Sequence, residues 1–212
     1  MNNPIIERNQ KCAKTAVEAF KKRHFDAYYC ETKEDALKTA LALIPGDHQV
    51  SWGGCKSMAD IGLADALARR GQPVLDRAAA KSPEESREMM RTALLCDSYI
   101  LSANAASMDG QLVNIDGNGN RVAALCYGPK QVVVILGVNK LEPDLDSAIR
   151  RARFIAAPVN AQRFDLSTPC KQTGRCADCL CPDSICAQMV ITRLCRPAGR
   201  IKILVVAEEL GF

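Results

Sequence analysis

The sequence predicts an α/β protein with an open, mostly parallel sheet flanked by helices. Segments with apolar residues at helical spacing alternate with short apolar runs that suit strands, and this alternation is typical of parallel sheets. The run QVVVIL at 131–136 is apolar and largely β-branched, as in central strands that are buried on both faces. A cysteine-rich stretch stands before the last predicted strand. We therefore expect one sheet, with a loop that leaves the domain near its end and returns.

The first half of the chain is predicted to contain four helices, each followed by a strand. An apolar stripe at helical spacing predicts the first helix. Thr32 caps the second helix, which Pro45-Gly46 ends, and Ser57 caps the third. Ser82 followed by proline begins the fourth. The predicted elements are helix 5–23, strand 25–30, helix 32–44, strand 48–52, helix 57–70, strand 72–75, helix 83–95 and strand 98–102.

The second half is predicted to begin with a β-hairpin. Its strands are 111–115 and 121–126, because the intervening run DGNGN tolerates positive φ. After the central strand, a helix is predicted over 144–156 with Ile155 among its inward residues. Its mostly outward, solvated face carries Arg150, Arg151 and Arg153. The last strand is predicted over 200–206.

The composition is typical of a globular domain. Of the 212 residues, 48% are hydrophobic and 25% are charged, so we expect a single domain over 1–212 that includes the cysteine-rich loop 168–187. The longest apolar run, 132–138, is far shorter than the ~20 residues that cross a bilayer, and no apolar core of a secretory signal is seen. A net charge of +4 spread over many segments argues against nucleic-acid binding. We expect a cytoplasmic protein, and a homodimer is compatible with these features.

A Gly-Gly turn follows the strand predicted at 48–52. Gly53 and Gly54 let the backbone approach a ligand closely, and the free N–H groups at the next helix start favour an anion. Lys56 adds a positive charge, and Ser57 of the same loop is a further ligand-binding candidate. Cys55 is a candidate nucleophile, because a thiolate is stabilised at a helix N-terminus. The alternatives are a plain turn and a small residue that fills it.

Further candidates follow two other predicted strands. Ligands of open α/β sheets bind beyond the carboxyl ends of the strands, where the small-residue stretch with Asn104 meets the Gly-Gly turn. Asn139 and Lys140 follow the central strand and complete the predicted ligand-binding set. Asp109 is a candidate catalytic carboxylate. The predicted ligand is a small anionic metabolite or cofactor.

The loop 168–187 is the most chemically specialised segment. It holds five of the eleven cysteines in the pattern C-x5-C-x2-C-x1-C-x4-C, together with proline and glycine residues that interrupt helix and strand. Thiols stay reduced in the cytosol, so the cluster favours metal binding over disulfides. The five residues are Cys170, Cys176, Cys179, Cys181 and Cys186.

Four thiolates suit either zinc or an iron–sulfur cluster. Only one C-x2-C pair is present, whereas structural zinc sites usually have two, and Cys181-Pro182 resembles the end of bacterial ferredoxin motifs. We therefore expect a [4Fe–4S] cluster, with zinc as the alternative. Cys181 stands too close to Cys179 for both to bind one centre easily. The predicted ligands are Cys170, Cys176, Cys179 and Cys186, with Cys181 as an alternate ligand or reactive thiol.

Four stretches resemble the LUD-domain family, the proteins named for lactate utilisation and formerly called DUF162. They are SWGGCKSMADIGL at 51–63, QLVNIDGNGNRVAALCYGPKQVVVILGVNKLEPDLDSAIRRAR at 111–153, AAPVNAQR at 156–163 and TPCKQTGRCADC at 168–179. The resemblance spans nearly the whole chain, and NIDGNGNRVAAL is its most specific part. It implies a fold like those of ribose-5-phosphate isomerases, glucosamine-6-phosphate deaminases and CoA transferases, in which the loop matching 53–57 commonly holds phosphate or another anion.

The resemblance also implies a link to the bacterial oxidation of L-lactate to pyruvate with iron–sulfur partner proteins. We therefore expect an iron–sulfur protein that acts in electron transfer or assembly around organic-acid oxidation. One alternative is an isomerase or CoA-transferase type of enzyme that uses Asp109, Asn104 and Lys140. Another is a zinc-stabilised interaction protein. Two positions depart from the pattern: Cys55 stands where serine or threonine is expected, and Asp109 where a CoA transferase would have glutamate.

Overall fold

Alternating helices and strands make up most of the chain in the computed structural model, which describes residues 3–212. The strands are β1 Asp26–Cys30, β2 Val50–Trp52, β3 Val74–Leu75, β4 Ser98–Leu101, β5 Ala105–Ser107, β6 Leu112–Asp116, β7 Gln131–Gly137, β8 Leu141–Glu142, β9 Gln188–Thr192 and β10 Ile201–Val206. The α-helices are α1 Pro4–Lys22, α2 Lys33–Leu43, α3 Lys56–Asp60, α4 Leu63–Arg69, α5 Pro83–Thr92, α6 Asn120–Cys126, α7 Leu145–Arg151, α8 Ala157–Ala161 and α9 Pro169–Thr173. No helix within residues 3–212 is long and apolar enough to cross a membrane.

The main sheet has six strands in the order β1-β10-β7-β4-β2-β3. Every neighbouring pair is parallel. Val132, Val134 and Leu136 of the central strand β7 pack into one apolar cluster, whereas Val133 and Ile135 pack into another. Because side chains alternate along a strand, the two clusters lie on opposite faces of the sheet. The predicted open, mostly parallel α/β fold is thus confirmed.

A second sheet, in the order β8-β5-β6-β9, continues from the carboxyl end of β4. Only residues 102–104 separate β4 from β5. Helix α7 covers this sheet, where Ala148 and Ala152 pack on Val113 and Ile115. The strand β9 pairs with β6 at one edge of the sheet. The cysteine-rich loop therefore leads from the helical segment into this second sheet.

The predicted hairpin is wrong in its second strand, because Asn120–Cys126 forms helix α6. The Asp116 carboxylate, at the end of β6, accepts hydrogen bonds from the backbone N–H groups of Arg121 and Val122, both at 3.1 Å. It thereby satisfies two of the unpaired donors at the start of α6. The polar run that was predicted to be a hairpin tip is the entry to a helix.

The helix predicted over 57–70 differs in its start and its continuity. It begins at Lys56 after Cys55, and the Ser57 side chain is buried, so Ser57 is not its cap. The helix is then divided into α3 and α4 at Gly62, whose φ of 68° is a conformation that favours glycine.

The helix predicted over 144–156 contains a π-helical segment, Ala152–Ala156. A π turn holds more residues than an α turn, so it shifts the faces of the residues after it. Ile155, predicted to lie inward, is 52% exposed for this reason. Arg151, predicted to lie outward, is only 7% exposed. Its guanidinium is held by the backbone carbonyls of Asn139 at 3.0 Å and Asn104 at 2.6 Å.

Candidate functional site

The segments that follow β2, β4 and β7 meet at one edge of the main sheet, because these strands are parallel neighbours. Ser57 follows β2, Ser102 follows β4 and Lys140 follows β7. The Lys140 Nζ lies 3.2 Å from the Ser57 Oγ and 3.0 Å from the Ser102 Oγ. The sequence predicted that the segments after the second and fourth strands meet at the carboxyl ends of the strands, and the structure adds the segment after β7 to them.

Lys140 is the most unusual of these side chains, since it is only 3% exposed. Its Nζ donates to the two serine hydroxyls and, at 3.3 Å, to the Ala103 carbonyl. None of the ion pairs formed within residues 3–212 includes it. Burial lowers the pKa of Lys140 to about 8. The guanidinium groups of Arg151 and Arg121 also lower this pKa, whereas Cys55 raises it. The neutral amine is therefore accessible near neutral pH.

A small cavity of about 70 Å³ lies at the Lys140 amine, and we call it the lysine cavity. It includes five of the eight residues that the sequence predicted to bind a ligand. Its lining residues are Gly54, Cys55, Lys56, Ser102, Ala103, Asn104, Arg121, Lys140, Asn160 and Phe212. The Lys56 ammonium forms an ion pair with Asp60. The other two cations that line the cavity are Lys140 and Arg121, and neither has a carboxylate of residues 3–212 at hydrogen-bonding distance.

Cys55 lies at the start of α3, as predicted, but its environment does not favour the thiolate. Burial raises the pKa of the Cys55 thiol, and the opposing effects of the Met58 N–H and of Lys140 are smaller. The helix has only five residues, so its dipole is weak. The activated nucleophile expected here is therefore a neutral thiol in the structure.

Arg121 is the principal residue of the lysine cavity that sequence reasoning missed. Its guanidinium donates to the Ser102 carbonyl at 2.9 Å, to the Asn114 Oδ1 at 2.8 Å and to the Asn104 Oδ1 at 3.1 Å. It also donates to the Ile115 carbonyl. Arg121 was assigned to a hairpin strand, which hid its role. The available signal was its place directly after the polar run of the stretch NIDGNGNR.

A larger groove of about 750 Å³ borders the Gly-Gly turn, and we call it the arginine groove. A side-chain Cβ at Gly54 would lie 3.5 Å from the Arg77 guanidinium and 3.9 Å from that of Arg163. A Cβ at Gly53 would lie 3.0 Å from the Arg121 Cδ, closer than packing normally allows. Three arginines from three separate segments thus surround the turn, which suits an anion. Three carboxylates, those of Asp116, Asp165 and Asp183, also line the groove, and that of Asp116 lies 3.8 Å from the Arg121 Nε.

Two predicted site residues lie in other environments. The Asp109 carboxylate pairs with Arg23 at 2.6 Å and accepts a hydrogen bond from Ser107. The Ser107 hydroxyl and Arg23 lower its pKa, and it lines neither the lysine cavity nor the arginine groove. The Asn139 Oδ1 accepts from the Leu210 N–H at 3.0 Å and so holds the end of the chain in place.

The cysteine-rich loop encloses a third space of about 330 Å³, which we call the cysteine cavity. All four predicted ligands line it, whereas Cys181 does not. All eleven cysteines are free thiols. The four cysteines of the wall are Cys170, Cys176, Cys179 and Cys186.

The four thiols interact electrostatically. The pKa of Cys186 is raised to about 11, first by burial of the sulfur and then by Cys170, Cys176 and Cys179. Four thiolates at these positions would repel one another, and a bound cation would relieve that repulsion. Cys181 does not line the cavity, but it interacts with one of the four thiols, since a hydrogen bond with Cys179 raises the pKa of Cys181.

The donor set is of a kind that both zinc and iron–sulfur clusters accept, since all four side chains are cysteines. The four cysteines stand around a space of about 330 Å³. As the side chains stand within residues 3–212, no group of three or more His, Cys, Asp or Glu is arranged to hold a metal ion.

The cysteine cavity and the arginine groove share a wall. Ile115, Ser184 and Ile185 line both spaces. Ile115 belongs to β6, and the other two residues belong to the cysteine-rich loop. The loop is therefore part of the crevice as well as of the thiol site.

Fold and site together define an α/β protein with a basic crevice at the strand ends and a four-thiol cavity beside it. The LUD domain family model matches residues 13–206, and the chain belongs to this family. A DUF162 family protein from Deinococcus radiodurans has a similar fold, with a TM-score of 0.55 and 10% identity over 93% of this chain and 98% of that one. A looser similarity, to ribose 5 phosphate isomerase A from Neisseria gonorrhoeae, has a TM-score of 0.36 and 17% identity over 62% of each chain. No curated protein sequence matches the chain.

Proposed function

We propose that this LUD-domain protein is a cytoplasmic iron–sulfur protein that takes part in electron transfer or assembly for the oxidation of an organic acid, with L-lactate as the first candidate. The observation that carries the proposal is the placement of four cysteines around one cavity. The family's connection with lactate utilisation supports the choice of acid. Its partners would be iron–sulfur proteins that oxidise lactate.

Cys170, Cys176, Cys179 and Cys186 would hold a [4Fe–4S] cluster, which supplies one-electron transfer when bound. The chain's own residues tune that site. The Thr168 hydroxyl lies 3.3 Å from the Cys170 Sγ, and hydrogen bonds to ligand sulfurs influence the reduction potential.

The test is metal and sulfide analysis of protein purified without oxygen, with an absorption spectrum. We expect about four irons with matching acid-labile sulfide per chain, and we expect Cys176→Ser to lose them. Cys126→Ser is the control, because Cys126 is an exposed cysteine outside the cysteine-rich loop, and it should keep the cluster. One zinc without sulfide, or equal loss in both variants, would contradict the proposal.

A second function is favoured by the three arginines at the Gly-Gly turn. We propose that the crevice binds a small anionic metabolite or cofactor, in a binding protein or in an enzyme of the isomerase or CoA-transferase type. The position of Asp109 outside the crevice favours binding over carboxylate-based catalysis. Gly53, Gly54, Arg77 and Arg163 would contact the anion.

Calorimetric titration with inorganic phosphate tests this second proposal. Arg77→Met should weaken binding about tenfold to a hundredfold, since a lost hydrogen bond to a charged group costs roughly 1.5–3 kcal/mol. Arg69→Met is the control, because Arg69 is an exposed arginine on α4. Absence of phosphate binding, or equal weakening in both variants, would overturn the assignment of the anion to this turn.

A further inference from the structure

We propose that Lys140 condenses with the carbonyl group of a short 2-oxo acid that enters the lysine cavity. This inference rests on the proposed anion-binding crevice and does not involve the cysteine cavity. It assigns a substrate class and a covalent step to Lys140, which the sequence had indicated as a ligand-binding residue and as a polar group of an alternative enzyme.

The size of the cavity limits the ligand. A single water requires about 10–15 Å³ of space measured in this way, so about 70 Å³ accepts roughly five or six non-hydrogen atoms. A three-carbon acid with one further oxygen has that size. Gly54, Arg121 and Asn160 line both this cavity and the arginine groove, so a ligand can reach the cavity through the groove.

The charge of the cavity selects a carboxylate. Arg121 is held by four oxygen acceptors, and its nearest carboxylate, that of Asp116, is 3.8 Å away and already accepts two backbone N–H groups. Lys140 has only neutral oxygens as partners. All four Nη hydrogens of Arg121 are already donated. A ligand carboxylate in the cavity would therefore offset this excess of positive charge by electrostatic attraction to Arg121 and Lys140 rather than by a hydrogen bond from Arg121.

The contacts of Lys140 suit an amine that reacts. Ser57 and Ser102 hydroxyls lie within 3.2 Å of its Nζ and also within 3.3 Å of each other. Hydroxyl groups donate as well as accept, so the pair can take up a proton from the nitrogen and return one to the carbonyl oxygen. The titratable and charged groups that face the amine are the Cys55 thiol, the Asp60 carboxylate and the guanidinium groups of Arg121 and Arg151.

The step requires no oxidant or reductant. The neutral Lys140 nitrogen attacks the carbonyl carbon and forms a C–N bond. The nitrogen gives up its two protons, the carbonyl oxygen takes up two, and the bond between carbon and oxygen breaks to release water. The product is an imine between Lys140 and the 2-oxo acid. Its carboxylate, on the carbon next to the reacting one, stays within the positive field of Arg121 and Arg151, and for this reason we expect an acid with an adjacent carbonyl.

The experiment is reductive trapping with pyruvate and cyanoborohydride at pH 7.5, read by intact mass and peptide mapping. We expect one saturable adduct per chain, mapped to Lys140, on the wild-type protein. Acetone, which has the carbonyl without the carboxylate, should give less than about a tenth of that yield. Lys140→Arg should give no mapped adduct, and Lys130→Arg, at an exposed lysine, should keep the wild-type yield.

Calorimetric titration of the same protein with pyruvate separates the two levels of the proposal. Pyruvate binding without an adduct would overturn the role of Lys140 and leave the anion crevice standing, with Lys140 as a structural tie. Absence of both pyruvate binding and adduct would overturn the inference, and the phosphate titration then decides separately whether the crevice binds an anion. Adducts that spread over surface lysines without saturation would also overturn the inference. The peptide map of the wild-type protein shows this outcome, so the test stands even if Lys140→Arg fails to fold.

Discussion

A buried lysine without a carboxylate partner makes the stability of the protein depend on pH. The pKa of Lys140 is about 8 in the folded state, whereas an unfolded lysine has a pKa of about 10.4. Between these two values the unfolded chain binds more protons than the folded chain. The folded state therefore gains stability as the pH rises through this window.

We expect the free energy of unfolding of the wild type, relative to Lys140→Met, to increase between pH 7 and pH 10 by up to about 3 kcal/mol. Urea unfolding of both proteins at the two pH values measures the difference. Lys130→Met is the control. The Asp97 carboxylate raises the pKa of Lys130, so the contribution of Lys130 is lost only as the pH rises above about 10.4. The difference between wild type and Lys130→Met should therefore stay nearly constant between pH 7 and pH 10. If the difference in free energy of unfolding between wild type and Lys140→Met is the same at pH 7 and pH 10, the pKa of Lys140 is not lowered by folding.

At the scale of elements, the segment 174–187 is notable because it has neither helix nor strand. It is joined to the domain by few contacts, such as the ion pair between Arg153 and Asp178. Three of the predicted cysteine ligands lie within this segment and Cys170 lies just before it. A bound cluster would therefore hold the segment at several points, since metal binding couples to local folding.

Limited trypsin digestion measures this effect. Cleavage after the exposed Arg175 should slow about tenfold or more when the cluster is present. Cleavage after Lys81, an exposed residue in a distant loop, should not change and is the internal control. Equal rates at Arg175 with and without the cluster would mean that the loop is ordered by its own contacts.

The elements also show where sequence patterns suffice. Helices with strong caps were predicted well, such as α5 after Ser82, whose hydroxyl accepts from the Glu85 N–H. Helix α6 was missed because its cap is Asp116, which lies outside the usual capping position. The strands β5 and β8 were missed because three and two residues are too few to show a period.

At the scale of the whole molecule, the predicted parallel sheet is correct because its central strand must be apolar on both faces. The Gly-Gly turn and Lys140 were predicted from one rule, that ligands bind at the carboxyl ends of parallel strands. Arg77 and Arg163 were missed because each reaches the turn from a distant segment, and no local pattern indicates a long-range contact. The four cysteines of the cysteine cavity were predicted to be ligands of one centre from residue type and spacing alone.

The wall that Ile115, Ser184 and Ile185 provide to both spaces has a consequence for how such a protein can change over generations. A lineage that discarded the cysteine-rich loop would also open one side of the neighbouring crevice to solvent. Loss of the thiols one by one, with the loop retained, would leave that side closed. Descendants without the thiols are therefore expected to keep a loop of similar length, in which other small residues stand where the cysteines were.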